Sequence, residues 1–175
     1  MNKVYSRASR LLAGVLVCLA LAACDQAGPP PASEAPLGFH RGDECHVCGM
    51  VITDFPGPKG AAVGAGGVKK FCSPAEMLGW WLQPENHRAD VKLYVHDMGR
   101  SHWDAPDDAH LIDARTAYFV VGSGLKGAMG VVLATFAEAQ AAQKLATETG
   151  GRVLRLEDID QKVLGQALAM SSMGH

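Results

Sequence analysis

Apolar and polar residues alternate in short runs along most of the chain, and the runs come in an order that occurs twice. Residues 50–53 (M-V-I-T), 61–64 (A-A-V-G) and 68–71 (V-K-K-F) are short β-type stretches. The first is followed by D-F-P-G-P-K-G at 54–60, a turn with two prolines and two glycines. Ser73 suits an N-cap, Pro74 the first helical position, and Glu76 the third position after the cap. Met77, Leu78, Trp81 and Leu82 then share one helical face. V-K-L-Y-V at 91–95 reads as a strand.

The second half follows the same order. A-Y-F-V-V at 117–121 is a strand, G-S-G-L-K-G-A-M-G at 122–130 a glycine-rich loop, and V-V-L at 131–133 a short strand. Thr135 is placed to cap a helix from Phe136 to about Thr149, with Glu138 at the capping-box position and Gly150-Gly151 ending it. Residues 153–156 form a strand, and Ile159, Val163, Leu164 and Leu168 mark a C-terminal helix over 158–170. The expected fold class is α+β, with two similar ββαβ units in tandem over 37–113 and 114–175, the second carrying the C-terminal helix. An internal duplication explains the repeat.

The N-terminus departs from this pattern. Lys3, Arg7 and Arg10 precede an apolar run, Leu11 to Leu21, that is short for a membrane span. The run ends Leu21-Ala22-Ala23-Cys24, which resembles a bacterial lipobox. That implies a signal peptide over 1–23, cleavage before Cys24, and a lipid on its sulfur that anchors the chain to a membrane. Residues 25–36, D-Q-A-G-P-P-P-A-S-E-A-P, read as a flexible tether. The expected location is the periplasm, with inner or outer membrane left open.

Charge and cysteine count narrow the chemistry. The 175-residue chain has a formal net charge of −2, and the signal segment takes three cations with it. No basic stripe with interleaved aromatics remains, so nucleic acid is excluded as a partner. Of five cysteines, Cys18 lies in the signal segment and Cys24 at the lipobox. Cys45, Cys48 and Cys72 are left, an odd number in an oxidising compartment, so at least one thiol is unpaired, shared with a metal, or joined to another chain.

E-C-H-V-C-G-M at 44–50 places two thiols, an imidazole and a thioether within seven positions. Thiolate and thioether select Cu(I), whereas imidazole also suits zinc, and a C-x-x-C also suits a disulfide. The Met tilts the balance towards copper. Candidate donors are Cys45, Cys48, Met50, Cys72, His96, Met98 and Met129. Cys48 and Met98 stand first, with Cys45, Met50 and His96 next; His96 and Met98 alternate on one face if the strand at 91–95 runs on. Cys72 reads as a buried thiol rather than a ligand. The glycine-rich loop lacks the Lys-Ser/Thr ending of a phosphate loop, which excludes nucleotide binding.

C-H-V-C-G-M-V-I-T-D at 45–54, K-F-C-S at 70–73, Y-V-H-D-M-G at 94–99 and G-A-M-G at 127–130, behind a lipobox, resemble the NosL family. The resemblance runs from Cys45 to about Ile159. It implies two similar ββαβ units and a periplasmic Cu(I) metallochaperone that delivers copper for maturation of nitrous-oxide reductase, working with a membrane-bound ABC-type assembly complex. It implies a carrier rather than an enzyme. Two rival readings are a thiol-disulfide oxidoreductase using Cys45 and Cys48, and a zinc-stabilised module. The first lacks the helix N-terminus that activates such a thiol, and the second is short of ligands.

Overall fold

A computed structural model of the chain describes residues 37–172, without Ala89 and Val131. The signal segment, Cys24, the tether and His175 lie outside the described residues. Seven strands form two antiparallel sheets. β1 (Gly60–Gly64), β2 (Gly67–Phe71), β3 (Lys92–His96) and β4 (Leu111–Asp113) lie in the order β2-β1-β3-β4. β5 (Tyr118–Val121), β6 (Ala134–Phe136) and β7 (Arg152–Leu154) lie in the order β6-β5-β7. Helix α1 (Pro74–Trp81) joins β2 to β3, α2 (Ala139–Thr149) joins β6 to β7, and α3 (Gln161–Ser172) follows. Each unit therefore opens on a central strand, adds its second strand on one side, crosses a helix, and adds its third on the other. The two units share this order and sense, which is the tandem ββαβ arrangement.

Local chemistry accounts for most of the elements. Ser73 Oγ accepts from the Glu76 amide at 3.2 Å, and Pro74 occupies the first turn, where its missing N–H costs nothing. The helix then buries Met77 and Leu78 completely. Gly64 pairs with Gly67 across the β1–β2 hairpin, leaving a two-residue turn. α2 places Ala142 and Ala146 four residues apart against its sheet and ends at Gly150 in the left-handed conformation.

Three elements differ from the expectation. Residues 51–54 make one isolated bridge, Glu44 with Val51, and then a 3-10 turn over Ile52–Asp54 instead of a strand. Leu111–Asp113, for which the sequence pattern gives no element, is strand β4 on the open edge of β3. The second strand of the second unit, β6, sits three residues later than expected. Thr135 is the middle of β6 and not a helix cap; its Oγ1 donates to the His96 carbonyl at 2.6 Å, and its own carbonyl accepts from the Met98 amide at 2.8 Å. Those two bonds stitch the second sheet to the exit of β3, and a helical Thr135 would forgo both. α2 begins only at Ala139, with no side-chain cap from Glu138.

Strand alternation divides the interior. Phe119 and Val121 of β5 face a large core shared with Leu93 and Val95 of β3, Met77 and Leu78 of α1, and Ile159 and Leu164 near the end of the chain. Val120 faces the other way, onto Ala134, Phe136, Ala142 and Ala146, where Met98 and Trp103 pack. The second sheet thus has α2 on one face and the first unit on the other.

Candidate metal centre

The C-x-x-C segment is held against the outer edge of β2. The Cys45 amide donates to the Met50 carbonyl at 2.9 Å, and the Gly49 amide donates back to the Cys45 carbonyl at 2.9 Å. This closes a tight loop in which Gly49 adopts φ +70°, a conformation that a side chain would strain. The His46 amide donates to the Lys70 carbonyl at 2.8 Å, docking the loop on the free edge of β2. The Lys70 ammonium bonds Asp43 at 2.5 Å, and His46 packs edge-on against Phe71 and Trp80, each with ring centroids 5.9 Å away.

Cys72 follows the last residue of β2 and precedes the cap of α1, so docking the loop on that strand brings three sulfurs together. Cys45, Cys48 and Cys72 are free thiols whose sulfurs all lie within 4.8 Å of one another. Cys48 Sγ is 3.6 Å from Cys72 Sγ. Cys72 is completely buried and Cys45 is 3% exposed, whereas Cys48 is half-buried and is the face of the group open to solvent.

The three thiols are electrostatically unequal. The Cys72 thiol donating to Cys45 sulfur outweighs the burial of Cys45; the amides of Cys48, Cys72 and Val47 add to it, and the group falls to about 4. Of the three, Cys45 is the one whose hydrogen bonds favour the anion. The same partnership, with burial, pushes Cys72 far above the ordinary thiol range. Burial also raises Cys48, against the Met50 amide that favours its anion. Glu76, at the start of α1, is raised by burial and by the charge on Cys45. A soft cation placed among these sulfurs would replace the shared protons and balance the negative charge.

Of the residues singled out in the sequence, Cys45 and Cys48 are in the group. Met50 is half-buried in the same loop and contributes its amide to Cys48. Cys72, read as a plain buried thiol, is the third member; the odd cysteine count was the signal that pointed to it. His96 is not among the grouped donors, and Met98 lies against the second core. His96 is 1% exposed, and both ring nitrogens are engaged: Nδ1 accepts from the Lys59 amide at 3.1 Å, so Nε2 carries the proton and donates to Asp108 at 3.0 Å. Burial, opposed by Asp108, keeps the ring on the neutral side. Met98 is half-buried and packs against the second core of Val120, Ala134, Phe136, Ala142 and Ala146. Met129 is 46% exposed and shares with Val47, Trp80, Glu76 and Leu164 the wall of an open concavity of about 390 Å³.

Fold and site together define an α+β protein with a three-thiol pocket suited to a soft metal ion. The NosL family profile matches residues 36–164, and the chain belongs to the NosL family. It is 59% identical over 174 residues, 99% of this chain and 92% of the relative, to the copper-binding lipoprotein NosL of Stutzerimonas stutzeri. It is 34% identical over 119 residues, 65% of this chain and 62% of the relative, to the copper-binding lipoprotein NosL of Achromobacter cycloclastes. The crystal structure of the copper chaperone NosL from Shewanella denitrificans superposes with a TM-score of 0.69 at 40% identity, covering 77% of this chain and 99% of that one.

Proposed function

We propose that this chain is a Cu(I) carrier that holds one ion on Cys45, Cys48 and Cys72. The observation that carries the reading is the closure of three free sulfurs to within 4.8 Å, one of them facing solvent. Three thiolates match the softness of Cu(I), and the half-exposed Cys48 gives the ion a path in and out. Met50 is the thioether in the same loop and the candidate for a fourth contact. The names of the relatives support copper, and the family resemblance supports delivery to nitrous-oxide reductase with an ABC-type assembly complex. The lipobox supports a lipid on Cys24 and a periplasmic setting.

The test is an anaerobic Cu(I) titration of the reduced chain against a competing chelator. The expected result is one ion per chain, with Cys48→Ser and Cys72→Ser each weakening it roughly tenfold or more, and X-ray absorption showing sulfur neighbours. Binding unchanged in Cys72→Ser would exclude the three-thiol site.

A thiol-disulfide oxidoreductase is the second reading, favoured by the low value at Cys45. Against it, Cys45 is 3% exposed, and the C-x-x-C runs into a bridge and a 3-10 turn rather than opening a helix. Catalytic insulin reduction by the chain would establish it.

A further inference from the structure

We propose that Cys48 and Cys72 reduce Cu(II), closing into a disulfide, while Cys45 remains to hold a product Cu(I). This rests on the copper reading and adds an activity to the same site. Cys48 and Cys72 are in direct contact, 3.6 Å apart, and a bond of about 2.05 Å needs a sulfur movement of roughly 1.5 Å. Cys48 supplies it. It is the half-buried member and the first that an incoming ion meets. Beside it Gly49 has only open space where a side chain would stand, so no neighbour packs on that side of Cys48.

Cys45 is the poorer disulfide partner. Its amide and carbonyl are fixed by Met50 and Gly49, and its sulfur gathers bonds from the Val47, Cys48 and Cys72 amides. Pairing it with either of the other thiols would pull it out of that nest. The C-x-x-C spacing would nominate Cys45–Cys48, but the tertiary contact nominates Cys48–Cys72.

The step balances without another reactant. The two S–H bonds break, one S–S bond forms, and two protons leave to solvent. The two electrons released reduce two Cu(II) ions to two Cu(I). An odd number of thiols is then useful, because two donate electrons and the third retains a ligand for the product.

The experiment uses the processed lipoprotein, in which the lipobox reading removes Cys18 and blocks the Cys24 sulfur, reduced, freed of reductant and kept under nitrogen. Cu(II) is added with a chromogenic chelator specific for Cu(I), and the products are digested for peptide mass spectrometry after alkylation. The expected result is about two Cu(I) per chain, a Cys48–Cys72 cross-link, and the alkyl group on Cys45. Cys48→Ser and Cys72→Ser should each lower the early rate of Cu(I) formation roughly tenfold. A cross-link from Cys45 to Cys48 or to Cys72, or no Cu(I) from the wild-type chain, would overturn the proposal. The wild-type mapping decides even if a variant fails to fold. A direct Cu(I) titration separates the two claims: a chain that binds Cu(I) but does not reduce Cu(II) sinks this proposal alone.

Discussion

Replacing Asp97 separates structure from metal binding in the D-M-G stretch. Asp97 is 3% exposed and stands where β3 leaves the first sheet. Its Oδ1 accepts from the Gly99 amide at 3.0 Å and from the Ala137 amide, forty residues away, at 3.1 Å; Oδ2 accepts from Arg100 Nε at 2.9 Å. Asp97→Ala leaves two amides without this acceptor. Gly99 is exposed and water can take its place, but Ala137 is half-buried, and Arg100 is 57% exposed, so its ion pair contributes little. The loss should be about 2–4 kcal/mol, dominated by the Ala137 amide, and about 1–2 kcal/mol for Asp97→Asn, which keeps one acceptor oxygen. In a domain of this size that lowers Tm by roughly 6–12 °C and 3–6 °C.

The pH dependence of that loss fixes its cause. Burial alone would raise the carboxyl, but the Ala137 amide, Arg100 and the Gly99 amide outweigh it and hold it below 3.8. A depressed acid stabilises the fold above its unfolded value, and that stability is lost as pH falls through the folded value. The Tm gap between wild type and Asp97→Asn should therefore be constant near neutrality and shrink below about pH 4. Calorimetric melts from neutral pH downward measure it, with Cu(I) affinity followed in parallel and expected to be unchanged. A variant that melts with the wild type, or that binds Cu(I) markedly less well while fully folded, would refute the assignment.

Met98→Leu should leave Cu(I) affinity within about threefold of wild type and cost less than about 1.5 kcal/mol, since the half-buried side chain packs against the second core; chelator competition and a melt check both. Thr135→Val removes the hydroxyl donor to the His96 carbonyl and should cost about 1–3 kcal/mol in denaturant unfolding. Gly60→Ala would put a Cβ 2.9 Å from both Cβ and Sδ of Met77, and should destabilise by about 1–3 kcal/mol as α1 is pushed off β1.

The parts of the fold that were legible are those fixed by neighbours in sequence. The Ser73-Pro74-x-Glu76 cap, the central strands around Leu93 and Phe119, and the Gly150 terminus need only local chemistry, and each stands within a residue or two of its expected place. What was not legible depends on distant partners. Thr135 has the composition of a cap, but its hydroxyl is used by a carbonyl 39 residues earlier, and that bond draws residues 134–136 into the sheet. Leu111–Asp113 is too short to announce itself and becomes a strand because β3 offers an unpaired edge.

The same distinction governs the site. Cys45 and Cys48 share a turn and are visible as a pair, whereas Cys72 joins them only because the loop docks on β2 through the His46–Lys70 bond. Softness alone made Met98 and His96 attractive as ligands, but softness does not report whether a donor is free. The His96 nitrogens are committed to Lys59 and Asp108, and Met98 packs half-buried against the second core. The odd number of cysteines among the described residues is the better guide, because an unpaired third thiol persists where a metal or a protecting fold keeps it reduced. Here β2 supplies that protection, burying Cys72 at its end and carrying the loop whose Cys48 alone of the three faces solvent.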